Sequence, residues 1–407
     1  MPPTNEGRGG EETIRTRERL MRTLALTLLS ATMLASTNAH ADIMIGAILS
    51  LTGPGASLGI PEKQTLDILP KEIDGEPVRY IILDDTSDPS ASVRNAIKLI
   101  EEDKVDVIVG PTLTGTSLAI LDTVAAGSTP MISLSGSQVI SQPVEGPKEW
   151  AFKLAPTEQV QAAYVYDQMT KDGDKTLGFI GFNDAFGDSF IGAFKEEAAK
   201  WEIEVVADER YARQDSSVTA QALSIVSANP DAVVIGASGT PGVAPVLELR
   251  NLGYEGQIYI NQGMANPDVL RVGGEAMNDV MLSVSPALVA EQLADDNIVK
   301  PVAVEYVTAY EEAYGEGTRS LFGATAWDAF LLIEAATAKA KEAGEPGTVE
   351  FRTALRDAMQ TTSELVGAEG VFSMTPEDHN GTDLRASSLV RIEDGKWVYI
   401  PSTPEQK

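Results

Sequence analysis

The sequence predicts an α/β protein with two doubly wound lobes, each built on a mostly parallel sheet. Two observations support this. Short apolar runs rich in β-branched residues alternate with segments of helical spacing throughout the chain after residue 42. The alternation occurs in two consecutive blocks, which share the phrases KVDVIVG (104–110) and PDAVVIG (230–236) as a weak internal repeat. Such alternation indicates a parallel sheet covered by helices on both faces.

The first block contains four predicted strands and two predicted helices. The strands are Ile43–Leu51, Val78–Leu83, Val105–Val109 and Pro130–Leu134, and the helices are Ser90–Glu102 and Leu118–Ala126. The second block begins near Ala155-Pro156 and repeats the pattern. Its strands are Thr176–Gly181, Glu204–Ala207, Ala232–Gly236 and Gln257–Ile260, and its helices are Gln159–Met169, Phe190–Trp201, Val218–Ser227 and Val243–Leu252.

The last third of the chain does not form a third block. It contains three long helical segments and a hairpin signal, Asp394-Gly395, between two apolar runs. The helices are Pro301–Tyr314, Thr325–Ala343 and Thr348–Gln360, and the hairpin strands are Leu389–Glu393 and Trp397–Ile400. Because this tail must return to both blocks, we predict crossovers near Leu154–Pro156, Ser283–Leu288 and Val366–Gly370. The first lobe is then 42–154 plus 285–366, and the second is 155–284 plus 367–407.

Residues 1–41 have the pattern of a secretory signal peptide. Basic residues up to Arg22 precede an apolar stretch, Leu24–Leu34, that is too short to span a bilayer, and Ala39-His40-Ala41 is typical of a cleavage site. Met21 is a better start than Met1, and residues 1–20 then fall outside the native protein. The chain has no cysteine and therefore no lipid-anchoring residue at the cleavage site. We expect a free periplasmic protein.

The charge of the chain argues against nucleic acid as a partner. It carries 31 Lys and Arg residues against 60 Asp and Glu residues, for a formal net charge of −29. A surface this acidic repels phosphate backbones and anionic membranes.

Neither catalysis nor a cofactor is expected. After residue 41 the chain holds one histidine, His379, and it lacks the nucleophile-elbow, Walker and dinucleotide-binding motifs. A hydrolase that uses a carboxylate pair is a distant alternative, although the sequence shows no preferred pair. No metal site is expected either, because the acidic residues around His379 and in the loop Asp84–Asp88 lack the ligand number and spacing of zinc or calcium sites.

Glycine, serine and threonine follow each of the four strands of the first block. The four segments are Ser50–Gly55, Asp84–Asp88, Gly110–Ser117 and Ser133–Ser137. Ligands of open parallel sheets lie beyond the carboxyl ends of the strands. Hydroxyl groups there, and free N–H groups of a helix starting at Thr114–Thr116, can hold a carboxylate without an arginine. Helix capping alone would explain any single one of these loops.

Several motifs, taken in order, resemble one known family. They are Gly46–Pro54 (GAILSLTGP), Asp84-Asp85 with Asp88-Pro89, Val109-Gly110-Pro111, Met131-Ile132-Ser133, Phe186-Gly187-Asp188 and Thr325–Ala329 (TAWDA). Their order and spacing resemble those of the leucine/isoleucine/valine-binding proteins, the periplasmic components of branched-chain amino-acid-type ABC transporters. The resemblance implies the type I periplasmic binding fold, in which two lobes joined by a three-stranded hinge close on a ligand. It also implies a monomer that delivers its ligand to the permease subunits.

The resemblance further implies a set of ligand-binding positions. The carboxylate is expected at Thr114, Ser135, Gly136 and Ser137, and the other positions are Leu58, Phe186, Ser238, Gln262, Met264 and Phe322. Gln262 stands where the family has an acidic residue for the ammonium group of the ligand, and an amide cannot neutralise a buried ammonium.

The remaining candidate positions are largely apolar, which predicts a small carboxylate without an α-amino group, such as an aromatic or branched acid. An amino acid stays an alternative if Asp84, Asp85 or another acid reaches the cleft. A ligand sensor that acts on a receptor or chemotaxis protein is the alternative to transport.

Overall fold

Two separate sheets organise the protein in the computed structural model, which describes Met1 and residues 41–404. Nearly all of the predicted signal peptide therefore lies outside the described residues. The first sheet has six strands in the order β2-β3-β1-β4-β5-β6. Its strands are β1 (Ile43–Leu49), β2 (Glu72–Ile73), β3 (Glu76–Asp84), β4 (Val107–Val109), β5 (Met131–Ser133) and β6 (Ala151–Lys153). Only β2 pairs antiparallel in this sheet.

Helices cover the first sheet. Those from the first block are α1 (Ala56–Ile68), α2 (Pro89–Ile97), α3 (Thr114–Ala119) and α4 (Leu121–Ala126), and two helices from the end of the chain also pack on this sheet. Because both faces of the sheet are covered, the central strand β1 is a continuous apolar run, IMIGAIL, and does not alternate between apolar and polar residues. This burial explains why the strands of the first block could be read from apolar runs alone.

The second sheet has seven strands in the order β15-β14-β11-β10-β9-β7-β8, in which β14 (Ser388–Glu393) and β15 (Lys396–Ile400) come from the end of the chain. Its first five strands are β7 (Thr176–Phe182), β8 (Glu204–Tyr211), β9 (Ala232–Gly236), β10 (Gln257–Asn261) and β11 (Met281–Val284). They pair in parallel, and the covering helices are α5 (Glu158–Asp172), α6 (Ala185–Trp201), α7 (Thr219–Ala228), α8 (Val243–Asn251) and α9 (Pro267–Gly273).

The last part of the chain returns to both sheets. It contains α10 (Lys300–Tyr314), α11 (Leu321–Lys341), α12 (Val349–Met359), the short ribbon β12 (Leu365–Val366) and β13 (Val371–Phe372), and the hairpin β14 (Ser388–Glu393) and β15 (Lys396–Ile400). The hairpin prediction is confirmed, since Asp394 and Gly395 both adopt positive φ angles, as a tight two-residue turn requires. This hairpin extends the second sheet antiparallel to β11.

The predicted fold class of two mostly parallel lobes is confirmed. The lobe boundaries themselves stay a prediction. Buried residues of α11 and α12 form one cluster with the core of the first sheet, whereas Ala303, Val307 and Tyr310 of α10 belong to the cluster of the second sheet. Among the described residues, α11 is the one helix long and apolar enough to cross a bilayer, but most of it is buried as in a core helix.

Candidate functional site

A cavity is lined by residues that belong to both sheets and their connecting segments. Eight of the ten positions expected from the sequence line it: Leu58, Thr114, Ser135, Gly136, Phe186, Ser238, Gln262 and Phe322. Leu58 lies in α1 and Phe322 in α11. The other six follow the carboxyl ends of strands in both sheets, Thr114 and Phe186 in the first turns of α3 and α6 and the rest in loops. This is where open parallel sheets bind ligands.

Ser137 and Met264 do not line this cavity. The Ser137 side chain is fully buried, and its hydroxyl has no partner among the described residues. Met264 is also fully buried and packs against Gly242, where a Cβ would lie 2.6 Å from the Met264 sulfur.

The first wall is the part of the cavity lining that comes from the first sheet and its helices. Two hydroxyl groups form its polar end. Thr114 Oγ1 and Ser135 Oγ lie 2.8 Å apart, and both side chains are buried. One hydroxyl donates to the other, which leaves one hydroxyl hydrogen free for a further acceptor. The N–H of Gly136 has no acceptor among the described residues, and Gly136 also lines the cavity. These groups offer donors to a carboxylate.

A buried acid lies behind this wall. Glu62 of α1 is fully buried, and its Oε2 accepts a hydrogen bond of 2.5 Å from Thr112, which lines the cavity. Burial raises the pKa of Glu62 well above its usual range, and the Thr112 hydrogen bond offsets only part of that. Thr112 lies in the strand-end segment Gly110–Ser117, whereas no sequence motif points to Glu62.

An arginine lines the second wall, the part of the lining that comes from the second sheet and its connecting segments, and the sequence did not single it out. Arg213 follows β8, and only 18% of its side chain is exposed. Its Nε donates to Asp184 over 2.5 Å and its Nη1 donates to Ser238 Oγ over 2.7 Å. Its guanidinium also stacks 4.0 Å from the centre of the Phe182 ring. These contacts hold the guanidinium in one orientation at the cavity.

The Gln262 side chain is engaged by the protein itself. Its Nε2 donates to Glu369 over 2.9 Å, and its Oε1 accepts from the Ser285 N–H over 2.9 Å. The expected role of this amide in binding a ligand hydroxyl or carbonyl is therefore limited to its second amide hydrogen and remaining lone pair. Asn261, which precedes it and also lines the cavity, has a buried Oδ1 without a partner among the described residues.

The two walls touch each other at the edge of the cavity. A Cβ placed on Gly239 of the second wall would lie 2.9 Å from Ser57 Oγ and 3.8 Å from Leu58, both on α1. Likewise, a Cβ on Gly136 would lie 3.9 Å from the Phe186 ring. The structure therefore represents a closed arrangement in which a ligand would be enclosed by both walls.

The charge of the cavity wall is the main electrostatic feature of the site. Among the described residues that line it, Arg213 carries the one formal charge and no Asp or Glu is present. Asp84 and Asp85 do not line the cavity. The Asp85 carboxylate already accepts hydrogen bonds from the Ser50 and Ser92 hydroxyls and from the N–H of Ser87. The lining thus offers hydroxyl, amide and guanidinium donors, the Asn261 Oδ1 acceptor, and one formal positive charge that is paired with Asp184.

Comparison with known proteins places the chain in a family. A family model described as periplasmic binding protein matches residues 42–396. An extracellular ligand-binding receptor from Rhodopseudomonas palustris HaA2 is 38% identical and superposes with a TM-score of 0.84, covering 88% of this chain and all of that one. The leucine/isoleucine/valine-binding protein BraC3 of Rhizobium johnstonii is 25% identical over 394 residues, 93% of this chain and 99% of its own.

One further solved structure has the same fold and contains a ligand. It is a solute-binding protein of an ABC transporter from R. palustris in complex with benzoate. It is 21% identical to this chain, covers 89% of this chain and 97% of its own length, and has a TM-score of 0.75. At this identity the likeness shows the fold alone.

Proposed function

Because the chain belongs to the periplasmic binding protein family and is of its leucine/isoleucine/valine-binding type, we propose that it is the substrate-binding component of an ABC transporter. It acts as a monomer in the periplasm. Its ligand is a small carboxylate without an α-amino group, such as an aromatic or branched organic acid. The closed form is the one that the permease subunits recognise.

The proposal rests on the charge of the cavity wall. An α-ammonium group enclosed there would face Arg213 and no lining carboxylate, and a buried unpaired charge is costly. A carboxylate, in contrast, finds the Thr114 and Ser135 hydroxyls and the guanidinium. The benzoate complex of a protein with the same fold supports this choice of ligand class, since it shows that this architecture can enclose an aromatic acid.

Binding proceeds by closure of the two walls. Thr114, Ser135 and Gly136 hold the carboxylate on the first wall, and Phe186 and Arg213 of the second wall then cover it. The ligand shifts the balance towards the closed form only by its better affinity for that form. Each donor that contacts the ligand only after closure therefore contributes to both affinity and closure.

Matched ligand pairs test the proposed class. We expect 3-phenylpropanoate and 4-methylpentanoate to raise the melting temperature of the protein, because a bound ligand stabilises the folded state by mass action. L-phenylalanine and L-leucine, which differ from these acids only by the α-amino group, should raise it far less. The measurement is a thermal-shift series with benzoate included, followed by calorimetric titration. Saturable micromolar binding of leucine, with none of the acids bound, would overturn the proposal.

Thr114→Val tests the carboxylate position. We expect 3-phenylpropanoate to bind at least roughly tenfold more weakly, because a hydrogen bond to a charged group contributes about 1.5 kcal/mol or more. Thr116→Val is the matched control on the same short helix. Thr116 makes its hydrogen bonds to the Leu113 backbone and does not line the cavity. It should lose stability but keep its affinity, and equal losses of affinity in both variants would contradict the assignment.

A further inference from the structure

One buried carboxyl group connects the two walls of the cavity. Glu369 lies between β12 and β13 and is fully buried. Its Oε1 accepts from Gln262 Nε2 and from Ser285 Oγ, each over 2.9 Å, and its Oε2 lies 2.7 Å from Thr325 Oγ1. Gln262 and Thr325 line the cavity, Gln262 after β10 of the second sheet and Thr325 on α11.

The hydrogen-bond geometry permits two protonation states of Glu369. Thr325 has a single hydroxyl hydrogen but lies near two acceptors, Glu369 Oε2 and the Leu321 carbonyl, the latter at 3.0 Å. If Glu369 is protonated, it donates to Thr325, which donates to Leu321, and every group is satisfied. If Glu369 is ionised, the Thr325 hydrogen turns to the carboxylate and the Leu321 carbonyl loses that side-chain partner.

The charged and titratable groups around Glu369 do not fully neutralise the negative charge of its ionised carboxylate. Asp328 of α11 is fully buried nearby, and both of its oxygens accept from the N–H groups of Ala368 and Glu369. Lys153 supplies a buried positive charge, but its Nζ donates its hydrogen bonds to the Ala155 and Pro156 carbonyl oxygens. Tyr306 also faces this region from α10. No guanidinium or ammonium group bonds the Glu369 carboxyl among the described residues.

We propose that Glu369 is a positioning residue that couples closure of the cavity to uptake of one proton, and so makes ligand affinity depend on pH. The inference rests on the proposed function, because it requires that ligand binding and closure are linked. In the closed form Glu369 is shielded from water and holds Gln262 and Thr325 in place. Opening separates those two residues and admits water to the carboxyl group, which then ionises more readily.

The direction of the pH effect follows from this arrangement. Burial, partly offset by the Thr325 and Ser285 hydrogen bonds, raises the pKa of Glu369 to about 7 in the closed form. In a solvated open form the pKa returns towards the ordinary value of about 4.3. Between these two values closing takes up a proton, so affinity falls as pH rises and becomes constant above the pKa of the closed form.

Calorimetric titration with 3-phenylpropanoate over a pH series tests the coupling. We expect the wild-type Kd to increase at least about fivefold between pH 5.5 and pH 8, with proton uptake seen as a buffer-dependent binding heat. Glu369→Gln keeps one donor and one acceptor and mimics the protonated acid. It should bind at every pH about as tightly as the wild type binds at the acidic end. A purely structural role would instead weaken binding at all pH values.

Asp106→Asn is the matched control for a buried acid. Asp106 immediately precedes β4, has its pKa raised to about 6, mainly by burial, and accepts from the N–H groups of Met44 and Gly347. It does not line the cavity. Its replacement should change the pH dependence of stability and leave the pH dependence of affinity as in the wild type. Persistence of the wild-type affinity profile in Glu369→Gln would overturn the proposal.

A measurement without ligand separates this inference from the proposed function. The chain has no cysteine, so dyes at Ser90→Cys and Ser216→Cys, exposed positions after β3 and β8, report the separation of the two walls. We expect the closed fraction to fall as pH rises in the wild type and to stay constant in Glu369→Gln. If 3-phenylpropanoate fails to bind at any pH, the proposed ligand is wrong, whereas an unchanging closed fraction in the wild type refutes the coupling.

Discussion

Replacing Gly187 by alanine should lower the free energy of unfolding by about 3 kcal/mol, because the added methyl group would clash with tightly packed neighbours. Gly187 lies in the first turn of α6, where a Cβ would be only 1.8 Å from the Phe182 carbonyl oxygen. That oxygen also accepts from Arg210 Nη1 over 2.9 Å, so it cannot move freely. The helix start must shift, and with it Asp184, whose carboxylate accepts from the Phe186 and Gly187 N–H groups over 3.1 Å each.

The same substitution should also weaken ligand binding, because Phe186 and the Asp184 partner of Arg213 move with the helix. Gly192→Ala in the same helix is the control. Its Cβ would meet nothing within 4 Å, and alanine favours a helix over glycine by up to about 1 kcal/mol. Urea unfolding followed by circular dichroism should therefore show opposite changes in the two variants. Equal stability of Gly187→Ala and the wild type would contradict the close contact.

The Gly187 contact also explains part of what the sequence could predict. The motif Phe186-Gly187-Asp188 contributed to the family resemblance, and the structure gives a steric reason for its glycine. Apolar runs located the parallel strands because helices bury both faces of each sheet. The turn Asp394-Gly395 located the hairpin because few residue pairs tolerate two positive φ angles. These features are local or periodic, and sequence patterns report them directly.

Elements with conflicting local signals were missed. Helix α1 contains Gly59 and Pro61, and neither favours a helix interior. Gly59 is needed there because a Cβ would lie 2.3 Å from the Ser50 carbonyl oxygen, a contact that exists only after folding. Strands β2 and β6 are two and three residues long, too short for a periodic pattern. In each case a tertiary contact or sheet neighbour decides what the local sequence leaves undetermined.

The residues of the candidate site likewise fall into those that the sequence indicates and those that only the folded structure reveals. Thr114, Ser135 and Gly136 could be proposed because they follow strand ends, where the fold places ligands. Arg213, Glu62 and Glu369 are brought to the site by packing and belong to no motif. A carboxyl group buried behind a cavity wall leaves no periodic signature, so only the assembled structure connects such residues to ligand binding.

Arg213→Met should weaken 3-phenylpropanoate binding by roughly 10- to 100-fold, because a buried hydrogen bond from a cation to a carboxylate contributes about 1.5–3 kcal/mol. Methionine fills a similar volume but removes the positive charge and the donors. The fold should survive, because Asp184 keeps its role at the start of α6 through the Phe186 and Gly187 N–H groups. Calorimetric titration at a fixed pH measures the loss.

Two further variants separate the charge of Arg213 from its geometry. Arg213→Lys keeps the charge but cannot reach Asp184 and Ser238 together in the planar geometry of a guanidinium, so its affinity should lie between those of the wild type and Arg213→Met. Arg210→Met is the matched control. Arg210 pairs with Asp208 and stacks on an aromatic ring in a similar way, but it does not line the cavity. The Arg210→Met variant should lose stability and retain affinity.

Unchanged affinity in Arg213→Met would mean that hydroxyl and backbone donors alone hold the carboxylate, as the sequence first indicated. Arg213 would then only fix the loop after β8.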